Sequence, residues 1–247
     1  MNKQMLGLAV VYAAFGGPLS QAGVIYDLNA DWSDAANPNG AWTYRHGTTA
    51  LPSQANYLPS HFPAGQPAWA VAPFGAGHIP SWLRNSTPAV IAGMDFLIGD
   101  VIVHAHDNAN GAGLGVANVI WTSPTDGFVD IHGAVWLARN IGRSTRFNLF
   151  HNSILLATGD LFTGDPFSRA TPLEFSALNL ATSAGDVIRL EILRTSTFGE
   201  FTGVNLTIDL SQPDAAIPEP STLALVLPGA IGFFACARMR GWKPRAS

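Results

Sequence analysis

The chain has 247 residues and a formal net charge of −4, and only 12% of its residues are charged. Aromatic and β-branched residues recur along its length, which separates it from disordered polar sequences. Between Gly23 and Ile217 eight arginines face sixteen acidic residues, a formal −8 with no basic run, and that balance argues against nucleic acid as a partner.

The first 22 residues follow the three-part order of a secretory signal. Lys3 gives the positive charge, "MLGLAVVYAAF" the short apolar core, and Ser20 and Ala22 the small residues before a cut. This predicts residues 1–22 as a signal peptide, with the Sec translocon and signal peptidase as partners. The competing reading is a buried first helix or strand.

Residues 23–213 then read as one all-β domain. "GVIYDL" and "GAWTYRH" open it, and "DVIVHAH", "GVANVIWTS", "FVDIHGAVWLA", "TRFNLFHNSILLA", "DVIRLEILR" and "GVNLTIDL" follow, separated by Gly, Asn, Asp and Pro. In "FVDIHGAVWLA" Val129, Ile131, Val135 and Leu137 share one face, and Asp130, His132 and Trp136 the other. Between Thr48 and Thr87 the chain is proline-rich and irregular, and it predicts short strands such as "WAVA" and a binding or covering surface. Many short antiparallel strands at this spacing predict a two-sheet β-sandwich of jelly-roll type. Another sandwich or a barrel is the alternative.

Several side-chain groups carry candidate chemistry. "DLNADWSD" brings Asp27, Asn29, Asp31 and Asp34 together. Oxygen donors at alternate positions suit a hard cation such as Ca²⁺, but the same residues also cap turns. "VHAHDN" offers His104 and His106 at i and i+2 with Asp107 beside them. That is a chelate for a transition metal, or an ordinary half-buried strand. Of the tryptophans, Trp121 and Trp136 sit inside strong strands and read as core. Trp42, Trp69 and Trp82 read as flat platforms for sugar rings, with core packing as the competing reading for each. Nothing fixes the carboxylate pair that a glycosidase needs, and no Gly-x-Ser-x-Gly nucleophile motif occurs.

Three stretches, "YDLNADWSDAANPNGAWTYR", "VIWTSPTDGFVDIHGAVW" and "ATSAGDVIRLEI", resemble the opening, middle and late strands of jelly-roll domains of secreted bacterial proteins, which are similar to carbohydrate-binding modules. The resemblance implies a glycan-binding role and a structural Ca²⁺. The stretch after His104, "AHDNANGAG", departs from the pattern.

The tail spans residues 214–247. Pro218, Glu219 and Pro220 precede an apolar run placed at 222–237, and Arg238, Arg240, Lys243 and Arg245 follow it. The prolines hold their segment extended and stop a helix from growing backwards. The basic cluster favours a cytoplasmic tail end. This order resembles the PEP-CTERM sorting signal of Gram-negative bacteria. The resemblance implies an exosortase-type membrane protease that removes the tail, so that the protein is held briefly at the inner membrane and then passes to the envelope or the exterior. Cys236 is the only cysteine and lies in this tail, so the sandwich has no disulfide. The sequence therefore favours a non-catalytic module bound to extracellular polysaccharide. A secreted, metal-assisted polysaccharide enzyme and a purely structural matrix protein are the alternatives.

Overall fold

A computed structural model describes residues 23–107 and 113–212 of the chain. The signal and sorting segments, with Pro218, Glu219, Pro220 and the four flanking basic residues, lie outside the described residues. Fourteen strands and no helix occur among those described. They are β1 (Val24–Asp27), β2 (Trp42–His46), β3 (Thr49–Ala50), β4 (Ser53–Gln54), β5 (Ala68–Ala70), β6 (Ser81–Arg84) and β7 (Val101–His104). The longer ones follow: β8 (Ala117–Thr122), β9 (Gly127–Leu137), β10 (Ser144–His151), β11 (Ile154–Phe162), β12 (Leu173–Thr182), β13 (Val187–Arg194) and β14 (Phe201–Ser211).

The strands form two antiparallel sheets. The first runs β12-β9-β14-β7-β6-β5-β4, with β1 paired to the far half of β14, and the second runs β11-β10-β13-β8-β2-β3. The eight strands β7 to β14 divide as β12-β9-β14-β7 against β11-β10-β13-β8, which is the double Greek key of a jelly roll. Two edge strands, β3 and β4, have two residues each, while β11 and β12 carry register shifts. Short and bulged edges resist pairing with other chains.

Alternation along the strands builds the core. Val129, Ile131, Val135 and Leu137 of β9 point between the sheets, as the sequence predicts, and meet Ile188, Leu190 and Ile192 of β13 in one buried cluster. Trp136 points the other way, yet it is buried too. It belongs to a second cluster on the outer face of the first sheet, with Tyr57, Phe62, Leu83, Ile102 and Phe201. Its indole Nε1 donates to the Asp95 carbonyl at 2.7 Å. Gly203 lies opposite Trp136 in the β14–β9 register. A Cβ there would fall 2.0 Å from the indole ring, so only glycine allows this ring to lie flat on the neighbouring strand.

The proline-rich segment thus serves as a cover. It contributes β4, β5 and β6 to the edge of the first sheet and folds its apolar residues over Trp136. Among the described residues nothing covers the rest of that outer face, across β12, β9, the far half of β14, and β1, and it is there that the candidate site lies.

Candidate binding groove

Two adjoining hollows lie on the bare face. The first, of about 530 Å³, is lined by His132 and Ala134 of β9, Glu174 and Ser176 of β12, and Asn205 and Thr207 of β14. The second, of about 620 Å³, shares Asn205 and Thr207 and continues to Asp27, Asn29 and Arg84. Strand register explains the layout. Glu174, Ala134 and Asn205 stand in one cross-strand row, and Ser176, His132, Thr207 and Asp27 in the next. Neighbouring strands are about 4.8 Å apart, so the second row crosses roughly 14 Å. Ala134 leaves a low floor between the taller Glu174 and Asn205.

The lining is polar and available. Among the described residues, the side chains of His132, Glu174, Ser176, Asn205 and Thr207 make no hydrogen bond or ion pair within the chain. His132, Glu174, Ser176 and Asn205 are exposed. They offer donors and acceptors in fixed positions, which is the chemistry of hydroxyl recognition. At the far end the Arg84 Nε donates to the Asn29 Oδ1 at 2.9 Å. One row beyond the groove, Asp130 and Asp209 face each other directly across β9 and β14.

The residues singled out as platforms lie elsewhere. Trp42, Trp69 and Trp82 are 1%, 4% and 0% exposed and belong to the inter-sheet core. The expectation that they present flat faces to sugars is therefore corrected. Burial wins because the proline-rich segment is not a surface loop: it supplies β5 and β6, and Trp69 and Trp82 stand opposite each other across those strands. Trp42 donates its Nε1 to Asp31 Oδ2 at 3.0 Å, and Trp69 donates to the Ser33 carbonyl at 3.0 Å.

The candidate metal ligands are likewise committed to the fold. Asp27 Oδ1 accepts from the backbone N–H groups of Asn29 and Ala30, each at 2.9 Å. Asp31 Oδ2 accepts from the Asp27 N–H at 3.1 Å as well as from Trp42. Asn29 is held between the Gly99 carbonyl and Arg84. These residues fasten a turn, and an adjacent guanidinium disfavours a cation there. His104 stands edge-on to Phe201 with ring centroids 4.4 Å apart, and its Nδ1 is 2.7 Å from the Ala105 carbonyl oxygen. Burial pushes its pKa down to about 3. His106 lies past the end of β7 and is half-buried, and Asp107 is buried. Among the described residues no three His, Cys, Asp or Glu side chains are grouped to hold a metal ion. None of His104, His106 or Asp107 lines the groove.

A further buried group is a glutamate. Glu200, just before β14, is fully buried; its Oε1 accepts from the Phe201 N–H at 2.9 Å, while Oε2 has no partner. Desolvation raises its pKa to about 7, partly offset by that hydrogen bond and by Arg143 and Arg139. Of the groove residues, Ser176, Asn205 and Thr207 drew no attention in the sequence. Their signal was the exposed parity of "GVNLTIDL" and of the strand "LEFSALNLAT".

No family model matches the sequence, and no curated protein does. Among solved structures the chain is similar to the xylan-binding module CBM15, with 11% identity over 77% of this chain and 98% of that one and a TM-score of 0.34. It is similar to the CBM22-1 and GH10 modules of Clostridium thermocellum xylanase 10B complexed with xylohexaose, at 14% identity over 49% of this chain and 23% of that one, with a TM-score of 0.29. It is also similar to a module CBM36 in complex with calcium and xylotriose, at 13% identity over 42% and 76% of the two chains, with a TM-score of 0.24. At such values the function has to be argued from the chain's own residues.

Proposed function

We infer that the protein is an exported, exosortase-processed envelope or extracellular protein whose jelly-roll domain binds polysaccharide without cleaving it. The observation that carries the binding role is the open groove across β12, β9, β14 and β1, lined on β12, β9 and β14 by side chains that make no hydrogen bond among the described residues. A sugar chain laid across the strands would meet Glu174 and Ser176 first, then His132, then Asn205 and Thr207. Recognition is by hydrogen bonds to hydroxyls, because among the described residues no tryptophan lines either hollow. Catalysis has little support in this groove. Glu174 and Asp27 stand on strands three intervals apart, roughly 14 Å, beyond the separation of about 5–9.5 Å that glycoside hydrolysis uses. The order of signal, Pro-Glu-Pro, apolar run and basic cluster supports export and tail removal.

Affinity electrophoresis through gels containing soluble polysaccharides tests the binding role. The wild type is retarded by at least one polymer, and His132→Ala with Asn205→Ala restores free migration. Equal retardation of wild type and double variant would refute the groove as the binding site. The intact mass of the protein from its host, with and without the tail protease, tests the sorting role.

A further inference from the structure

Strand β1 begins one residue after the expected signal cut, and its surroundings explain the glycine at that point. Gly23, Ile25 and Asp27 share one side of the chain, and Ile25 stands opposite Asp209 of β14. Gly23 therefore sits diagonally from Asp209. A Cβ at Gly23 would fall 2.2 Å from Asp209 Oδ1 and 3.4 Å from the Leu210 carbonyl oxygen. Any other residue would push the carboxylate aside, and glycine lets it lie against the main chain. The Gly23 nitrogen is about 2.5 Å from that Cβ position, so it lies within about 4.7 Å of Asp209 Oδ1.

This carboxylate lacks a counterpart. Asp209 Oδ1 is shielded from water and accepts no hydrogen bond among the described residues, the Gly23 N–H of the uncut chain included. Asp130 stands directly opposite on β9, a placement in which like charges destabilise a sheet. Neither aspartate joins an ion pair among the described residues. The other titratable groups about β1 are Asp27 itself, His132 on β9, Asp31 beside Val24 and Ile25, and Arg84, which already donates to Asn29. Hydrolysis of the Ala22–Gly23 peptide bond leaves a carboxylate on the departing segment and an ammonium on Gly23. The nitrogen thereby gains a positive charge at neutral pH and three donors that rotate freely.

We propose that removal of residues 1–22 creates an ion pair between the Gly23 α-ammonium and Asp209, which fastens the start of β1 to β14. The step rests on residues 1–22 being a signal, and it goes beyond the groove's binding role. Charge-assisted bonds of this kind are stronger than neutral ones. Because β1 carries Asp27 into the second hollow, the cut also secures that end of the groove.

The composition supplies the test. No lysine occurs between Gly23 and Ile217, and Lys243 lies in the tail. In a Lys243→Arg chain recovered from the host after export, the Gly23 α-amine is then the one primary amine, whether or not the tail is removed. Intact mass first establishes that the chain starts at Gly23. Selective acetylation of the amine, followed by hydroxylamine to clear hydroxyl esters, is compared with and without Asp209→Asn. Acetylation lowers the thermal midpoint by about 1–4 °C with Asp209 present and leaves it in place in Asp209→Asn. The change on acetylation is the readout, because Asp209→Asn by itself also relieves the Asp130 repulsion. The ion pair also holds the amine protonated, so acetylation at pH 7 runs about threefold or more slower with Asp209 than with Asn. A midpoint unmoved by acetylation, or moved equally in both chains, overturns the ion pair and leaves the export reading standing. A chain that starts at another residue but lacks Met1 does the same. A chain that keeps Met1 overturns the export reading as well.

Discussion

Replacing Glu200 by Gln should stabilise the protein, and only at the upper end of the pH range. Glu200 is fully buried, with one oxygen bonded to the Phe201 N–H and the other without a partner. Its carboxyl ionises at about 7 in the folded chain, against 4.5 for the free side chain. Below 4.5 the group is neutral in both folded and unfolded states, so its contribution is fully retained. As pH rises from 4.5 to about 7 the unfolded chain ionises first, and stability is lost until the folded form ionises as well. The difference amounts to about 3 kcal/mol above that point. Gln keeps the acceptor for Phe201 and removes the ionisation. Urea unfolding of wild type and Glu200→Gln across this range is the assay. The two stabilities should coincide near pH 4.5 and diverge to about 3 kcal/mol above 7, or roughly 6–12 °C in thermal midpoint. A difference that does not change with pH would refute the reasoning, as would a variant that is weaker above 7.

Other consequences are equally direct. His104 is buried neutral, with its pKa lowered to about 3, so stability held above its ordinary value of 6.5 is lost as pH falls towards 3. His104→Gln flattens that acid limb in thermal melts. Gly203→Ala places a Cβ against the Trp136 ring and should cost about 1–3 kcal/mol or more, visible as a lower midpoint and altered tryptophan fluorescence. Arg169 holds Asp100 through Nε at 2.6 Å and Nη2 at 3.1 Å. Arg169→Lys loses the two-point contact and should lower unfolding stability by up to about 1 kcal/mol. Asn205→Ala, on an exposed sheet position, should weaken polysaccharide binding roughly two- to tenfold in affinity gels while leaving the melting curve in place.

The sandwich was legible where strands alternate. The parity of Val129, Ile131, Val135 and Leu137 against Asp130, His132 and Trp136 placed both faces of β9 correctly. Parity alone did not say that a distant segment covers Trp136, because that depends on residues 57–96 folding back over the sheet. Trp69 and Trp82 were misplaced for the same reason. Six prolines between Thr48 and Thr87 suggested an irregular segment with short strands and exposed tryptophans, yet the short runs "AWA" and "SWLR" place Trp69 and Trp82 in the buried part of a sheet edge. "TRFNLFHNSILLA" reads as one stretch but folds as the hairpin of β10 and β11, turning at Asn152 with φ of 54°. The groove was hardest to see. Its walls come from three strands far apart in sequence, and only the register of β12 on β9 and of β9 on β14 brings Glu174, His132 and Asn205 side by side.

The central claim is that the bare face of the first sheet binds polysaccharide. The most direct measurement is backbone amide NMR of the protein titrated with the polymer that retards it in affinity gels. Shifts should concentrate on residues 130–134, 174–176 and 205–209, and the amides around Trp42 and Trp121 should remain still. Shifts centred on the second sheet, or no shifts at saturating polymer, would contradict it.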